Sequence, residues 1–294
     1  MSVPGPSIDP SAAPPLRIED AGALRAALAG LGHRLSEYCP ANLVLFRAAH
    51  DYRTVESPAR CIAGRTYDGV RHLMPLFDLA AHSPARLQAL LAGHDCFYPI
   101  PEQTVQRLPG GAFRVAHVDA DADYLYRAAD LRAYAGTRLR KKRNLMRQFE
   151  RDAAPRFVPL DAARAGAARA VLDAWLAESG KAPAATDHGP CAEAIALRDT
   201  LGLQGWLAET GAGEPAGFLL ASRVWPDTLA VHFAKGLRRH PGVYQYLFNR
   251  FACAAAPACE FINFEQDLGN PRFRHTKRSY APVALLRKYR VFPN

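Results

Sequence analysis

In the second half of the chain, the spacing of apolar residues changes from that of helices to that of strands, and this change strongly limits the possible folds. Apolar residues recur at helical spacing over residues 162–178 and 191–201. Apolar runs separated by short turns then predict consecutive antiparallel strands, a loop, a helix and one further strand. The predicted strands are 205–210, 216–224, 228–235 and 260–265, the loop is 236–241, and the helix is 242–255. This order is typical of a mixed sheet covered by helices.

The first half contains a weaker version of the same order. Helices are predicted over 20–31 and 83–93, and a long basic helix over 128–152. Strand-like segments are 42–47, 61–63, 72–77 and 96–100. The order in both halves is similar to that of the GNAT acyltransferase fold. We therefore predict an α/β (α+β) protein made of two fused GNAT units, each a mixed, mostly antiparallel sheet flanked by helices. The expected division is a disordered tail (1–19), an N-terminal half (20–155) and a C-terminal half carrying the site (156–294).

Positive charge is concentrated in two segments. The chain has 294 residues and a formal net charge of +9. Residues 138–151 have a net charge of +6 and residues 265–290 a net charge of +5. Two basic segments in a near-neutral body predict a polyanionic partner: a nucleic acid, a phosphate-bearing cofactor or anionic lipid. Solvated helix faces are the alternative interpretation.

Several protein classes are excluded by missing sequence features. The first 15 residues lack the basic start and apolar run of a signal peptide, and no stretch approaches the roughly 20 apolar residues of a membrane span. We therefore expect a cytoplasmic protein with at most peripheral membrane contact. Six cysteines without a CxxC pair predict reduced, mostly buried thiols and no metal site, with Cys253 and Cys259 in the core. Hydrolase, NTPase and zinc-peptidase motifs are absent.

Two carboxylates end the last strand of the predicted second sheet. If the extended run persists, alternation places Asn263, Glu265 and Asp267 on one face. Such carboxylates could bind an ammonium group or act as a general base. Alternatively, they form ion pairs with Arg272, Arg274 or Lys277 downstream. Lys277 itself suits stabilisation of an oxyanion or a phosphate, with a plain surface lysine as the alternative.

Two further segments suit anion binding. The stretch 138–144 places cations at helical neighbour positions, and its Lys142, Arg143 and Asn144 are candidate substrate-binding residues. The loop before helix 242–255 offers backbone N–H groups and the positive end of a helix dipole. It matches the coenzyme A loop of GNAT enzymes, Arg/Gln-x-x-Gly-x-Gly/Ala, only at Arg239 and Gly242, because Tyr244 stands in the final small position. A plain turn that begins a helix is the alternative.

At the level of whole motifs, the chain resembles the phosphatidylglycerol lysyltransferase C-terminal-like family. The segments that carry this resemblance are Ser36-Glu-Tyr-Cys-Pro-Ala-Asn-Leu43, Lys141-Lys-Arg-Asn144, Ile262-Asn-Phe-Glu-Gln-Asp-Leu-Gly269, and Lys277 with Tyr280 and Pro282. The family pattern has Glu where Ala234 stands, so any role of that acid is lost or moved here. The resemblance implies a tandem GNAT fold related to lysyl-phosphatidylglycerol synthases and Fem-type ligases. It also implies that Lys277 assists at the tRNA-linked ester.

These observations predict an aminoacyltransferase that moves an amino acid from aminoacyl-tRNA to a lipid, peptide or small-molecule amine or hydroxyl acceptor. Glu265, Asp267 and Lys277 would be catalytic, and Asn263 and Tyr280 would bind substrate beside the basic helix. No cofactor or metal is required, because the tRNA ester is already activated. The alternatives are an acyl-CoA-dependent N-acyltransferase that uses Arg239 and Gly242, and a non-catalytic module that binds an anionic ligand.

Overall fold

The computed structural model describes residues 13–255 and 259–294, which form two compact units. The first unit runs through Asp123 and also includes Leu286–Asn294, and the second is Tyr124–Leu285. Each unit contains one mixed sheet flanked by helices. The predicted fold class is therefore confirmed.

The first unit has a six-stranded sheet in the order β1-β2-β3-β4-β13-β5. Its strands are β1 (Arg53–Val55), β2 (Cys61–Arg65), β3 (Arg71–Pro75), β4 (Cys96–Pro101), β5 (Phe113–His117) and β13 (Lys288–Pro293). Its α-helices are α1 (Ala21–Ala29), α2 (Pro40–Leu45), α3 (Pro84–Leu90) and α4 (Glu102–Val105). All pairings are antiparallel except β3 with β4. Ser83 caps α3 by accepting a hydrogen bond from the Arg86 N–H, as its sequence predicts.

The second unit has a seven-stranded sheet in the order β12-β6-β11-β10-β9-β8-β7. Its strands are β6 (Asp123–Arg127), β7 (Arg156–Pro159), β8 (Gln204–Glu209), β9 (Pro215–Trp225), β10 (Thr228–Gly236), β11 (Phe261–Asn263) and β12 (Ala284–Leu286). Its α-helices are α5 (Ala128–Ala133), α6 (Arg140–Ala153), α7 (Ala165–Ser179), α8 (His188–Ala196), α9 (Arg198–Leu201), α10 (Val243–Ala254) and α11 (Pro271–Arg278). β10 and β11 are parallel, so their carboxyl ends lie at the same edge of the sheet.

The units divide at other positions than the predicted boundary of 155/156. β6 pairs with β11, and α5 and α6 pack against α10, so the chain from Tyr124 onward belongs with the second sheet. The last strand, β13, pairs with β4 and β5 of the first sheet. Sequence position cannot reveal this, because both units take strands that are distant along the chain.

Three predicted elements differ in the structure. Residues 42–47, predicted as a strand, lie largely in helix α2, because Pro40 begins the helix and its short apolar run is buried on all sides. The predicted long helix 128–152 is broken after α5, where Tyr134 and Gly136 have φ values of 42° and 72°. The strand predicted over 260–265 ends at Asn263.

The predictions of a disordered tail and of a core position for Cys253 were partly wrong. In the described part of residues 1–19, Leu16 is buried and its N–H donates to the Tyr52 carbonyl, so this stretch is ordered. Residues 1–12 lie outside the described part. All six cysteines are free, but Cys253 is exposed and not in the core. Across residues 13–255 and 259–294, no helix is both long and apolar enough to cross a membrane.

Candidate functional site

The candidate site is built on the turn that follows β11. The buried side chain of Asn263 accepts a hydrogen bond of 2.6 Å from the Glu265 N–H. Glu265 then takes a left-handed backbone conformation, with φ of 56°. A non-glycine residue in this region is strained by about 1–3 kcal/mol, and such strain often occurs at functional sites. The prediction that Glu265 and Asp267 leave one strand face is wrong, because the strand has already ended.

The Glu265 carboxylate belongs to a chain of three side chains from neighbouring strands. His232 on β10 contacts it through Nδ1 at 2.8 Å, and the other ring nitrogen, Nε2, lies 2.7 Å from the Ser222 hydroxyl on β9. A carboxylate only accepts, so Nδ1 carries a proton. The arrangement has the order of a catalytic triad, but Ser222 is only 4% exposed and cannot attack a bound molecule. His232 and Ser222 therefore orient Glu265, whose side chain retains 14% of its exposure.

Asp267 is held entirely by the protein. Its buried carboxylate accepts hydrogen bonds from the Arg274 guanidinium at 2.8 and 3.1 Å, from the Tyr124 hydroxyl at 2.7 Å and from the Gly269 N–H at 2.8 Å. Burial alone would raise the pKa of Asp267, but these donors hold it below its ordinary value. The predicted binding of a substrate amine by Asp267 is not supported by this geometry, and the alternative ion pair with Arg274 is present.

Lys277 lies one helical turn after Arg274 and reaches the same turn. Its ammonium donates to the carbonyls of Phe264, Glu265 and Gln266, at 2.6, 3.1 and 2.5 Å. An ammonium has three N–H donors, so all of them are in use. Lys277 therefore supplies a fixed positive charge beside Glu265 and fixes the turn. Direct donation to an oxyanion, as predicted, would require one of these bonds to break.

Lys142 approaches from α6. Its Nζ lies 4.0 Å above the centre of the buried Tyr280 ring. The Tyr280 hydroxyl accepts a hydrogen bond of 2.9 Å from Gln245 on α10, and the Tyr280 ring packs on Phe264 with 6.3 Å between centroids. Burial and the nearby charge of Lys141 lower the pKa of Lys142 to about 8. Lys142, Tyr280 and the Glu265 turn are thus linked by contacts.

Arg143 and Asn144, the two residues that follow Lys142, have different surroundings. Arg143 donates to the Tyr134 carbonyl at 2.5 Å and so fixes the break before α6. Asn144 is exposed. Of the three substrate-binding residues predicted on this helix, Lys142 is thus the one that contacts Tyr280, and the binding role of all three stays a prediction.

The loop before α10 does not have the form of an open phosphate cradle. The N–H of Arg238 donates to the Glu178 carboxylate at 2.9 Å, so an acidic group already occupies one donor. A Cβ atom at Gly242 would lie 1.9 Å from the Leu145 carbonyl, so this glycine is needed for close packing of α6. Arg239 is exposed. The loop borders a cavity of about 230 Å³ that is also lined by Trp175 and Tyr244.

Two mixed sheets flanked by helices form a tandem GNAT-like fold, which acyltransferases and aminoacyltransferases share. The sequence profile of the family "Phosphatidylglycerol lysyltransferase, C-terminal" matches residues 28–292. The chain therefore belongs to this family and is a transferase. A comparison with curated proteins finds no match.

Solved structures of other proteins share the fold. A conserved protein of unknown function from Bacteroides thetaiotaomicron is 20% identical, with a TM-score of 0.81 over 96% of this chain and 99% of that one. The C-terminal domain of a putative lysylphosphatidylglycerol synthetase from Agrobacterium fabrum is 14% identical, with a TM-score of 0.64 over 94% and 92%. FemX is 8% identical, with a TM-score of 0.60 over 93% and 96%. At these identities, the likeness extends to the fold.

Two residues of the site, His232 and Ser222, belong to no catalytic motif in the sequence. The sequence shows which residues alternate along each of the two strands. It does not show the register in which β10 pairs with β9, and this register brings His232 and Ser222 together. Among the residues that the structure describes, no group of His, Cys, Asp and Glu is suited to hold a metal ion.

Proposed function

We propose that the protein is an aminoacyltransferase that uses aminoacyl-tRNA as donor and acts in the cytoplasm. The observation that supports this most is the fixed turn of residues 264–267, which carries the partly exposed Glu265 carboxylate and holds the Lys277 ammonium on its carbonyls. A substrate that carries a cationic amine next to an ester carbonyl matches that pair of charges. The α-amino group and ester of an aminoacyl-tRNA have this arrangement.

Glu265 receives the α-ammonium group of the amino acid in this proposal. One carboxylate oxygen is held by His232, and the Glu265 side chain is 14% exposed. A charge-assisted hydrogen bond contributes about 1.5–3 kcal/mol when the partners are well oriented. The contact with His232 removes rotational freedom from Glu265 before substrate arrives, so binding does not have to order it.

Lys277 acts on the ester by its charge and by holding the turn. Its ammonium stays beside the carbonyls of residues 264–266, so its position is fixed during the reaction. A preorganised charge at this position favours the negative charge that develops on the ester oxygen. Asp267 has a positioning role, since it binds Arg274 and thereby anchors α11, which carries Lys277.

The exposed face of α6 is the proposed contact for the tRNA acceptor end. Arg140, Lys141, Arg147 and Arg151 are exposed there. Phosphate contacts by such cations are salt-dependent, and each adds about −0.7 to −0.9 to the slope of log K against log salt. Replacement of Arg140 and Arg147 by Gln should therefore weaken tRNA binding and reduce that slope. The acceptor of the amino acid is a lipid, a peptide or a small amine or hydroxyl compound.

An acyl-CoA donor is less well supported. The Glu178 carboxylate on the Arg238 N–H places negative charge where a pyrophosphate would bind. A purely binding role is also less well supported, because a binding site for an anion has no need of the oriented Glu265 carboxylate.

The proposal is tested by supplying a charged tRNA pool with one labelled amino acid at a time, together with extract as a source of acceptors. Label should move from the tRNA fraction into a lipid, peptide or small-molecule fraction, and this transfer should be about 10–10²-fold slower in the Glu265→Gln variant. Label that stays on tRNA with every amino acid and acceptor fraction would contradict the proposal.

A further inference from the structure

The lysines of the chain differ in how their charges are balanced. There are six, of which Lys141 and Lys181 are exposed. Lys235 and Lys288 are buried and bind carboxylates at 2.7 and 2.6 Å, and Lys277 binds three carbonyls. Lys142 is half-buried, yet among the residues described no oxygen accepts a hydrogen bond from its Nζ.

A half-buried ammonium without an oxygen partner is unfavourable, because burial removes water and nothing replaces it. The groups in contact with Lys142 compensate only in part. The face of the Tyr280 ring attracts a cation, but the Tyr280 hydroxyl is bonded to Gln245 with a raised pKa, so it is neutral and supplies no negative charge. Lys141 on the same helix adds a like charge. Burial and this like charge lower the pKa of Lys142 to about 8, so the neutral amine is far more populated than in an ordinary lysine.

We propose that Lys142 is the proton acceptor in the transfer reaction. This inference rests on the proposed function. The attacking nitrogen or oxygen of the acceptor forms a bond to the ester carbonyl carbon and passes its proton to the Lys142 amine. The bond from that carbon to the ribose oxygen then breaks, and Lys142 returns the proton to this oxygen. Bonds and protons balance, and no further reactant is needed.

The position of Lys142 suits this role. Its Nζ lies on Tyr280, which packs on Phe264, the residue that precedes Glu265. General acid–base groups of this kind contribute roughly 10²–10⁴-fold to a rate when their pKa lies near the operating pH. The lowered pKa of Lys142, about 8, meets that condition. Lys277 does not, because its three N–H donors are engaged with carbonyls.

One experiment measures the amine without any substrate. Lysines are methylated reductively with ¹³C-formaldehyde, which also labels the N-terminal amine, and each of the six lysine resonances is titrated by NMR. One lysine resonance should titrate near pH 8, should disappear in Lys142→Arg and should remain in the control variant Lys141→Arg. A Lys142 resonance that titrates at or above about 10, the ordinary lysine value, would overturn the proposal.

A second experiment measures turnover with charged tRNA. Lys142→Arg keeps the charge and should lower kcat by roughly 10²–10³-fold, with donor binding within about twofold, whereas the exposed control variant Lys181→Arg should match wild type. If Lys142→Arg keeps full turnover and Lys142→Gln merely weakens donor binding, the residue binds an anion instead. Circular dichroism checks that each variant folds. If wild type transfers nothing, the proposed function fails, and the NMR titration still decides the state of Lys142.

Discussion

Each unit buries a cluster of charged side chains, and the two clusters differ in their access to solvent. In the first unit, Lys288 lies between Glu37 and Asp123, at 2.6 and 2.7 Å, and all three are buried. In the second unit, Glu265, Arg274 and Lys277 are only partly buried. A buried cluster of charges alone therefore does not mark a functional site. The closed cluster stabilises its unit, while the partly open one can meet a substrate.

The first cluster should give the largest effect. Lys288→Met leaves Glu37 and Asp123 buried without their cation, which should destabilise the protein by about 3–5 kcal/mol. Denaturant unfolding measures this, with the exposed Lys181→Met as the matched control. A Lys288→Met protein as stable as the control would show that the closed cluster is not structural.

Glu265→Gln should act on activity and leave stability nearly unchanged. Loss of the charge-assisted bond to the amino group should lower kcat/KM about 10–10²-fold. The control is Glu260→Gln, an exposed acid in the same part of the chain. Equal activity of the two variants would remove Glu265 from the proposed site.

Gly242→Ala separates a packing role from a phosphate-binding role. The new Cβ would lie 1.9 Å from the Leu145 carbonyl, so we expect roughly 1–3 kcal/mol of destabilisation from overpacking. Gly213 has a similar φ but open space around it, so Gly213→Ala should cost less. Thermal unfolding compares them. Equal losses would mean that α6 is not tightly packed on the loop.

The two clusters should also respond to pH in opposite directions. Burial raises the pKa of Glu37 to about 7, against the opposing charge of Lys288. Its stabilising contribution is therefore complete below its unfolded value of about 4.5 and is lost as pH rises through about 7. The pKa of Asp267 is lowered, so its contribution is present above the unfolded value and is lost as pH falls.

Unfolding midpoints of wild type, Glu37→Gln and Asp267→Asn test this between pH 3 and 8. As pH rises through 5–7, the unfolding midpoint of wild type should fall relative to that of Glu37→Gln. From pH 3 to 5, the unfolding midpoint of wild type should rise relative to that of Asp267→Asn. Parallel pH profiles for the two pairs would contradict the assignment of opposite shifts.

The sequence predicted the fold better than the geometry of the site. Long runs such as β9 and β10 have clear period and turn chemistry, so they were found. The left-handed turn at Glu265 could not be found, because it depends on the Asn263 side chain and on three carbonyls that bind Lys277. The pairing of β13 with the first sheet could not be found from the sequence either, because it joins residues that are distant along the chain.

We propose that the protein transfers an amino acid from tRNA at the partly buried cluster of the second unit. The most direct measurement gives the protein labelled aminoacyl-tRNA or labelled acetyl-CoA in parallel, with the same acceptor extract, and follows label in the acceptor. We expect transfer from aminoacyl-tRNA alone, lowered about 10–10²-fold in Glu265→Gln and retained in Glu260→Gln. Transfer from acetyl-CoA, unaffected by Glu265→Gln, would contradict it.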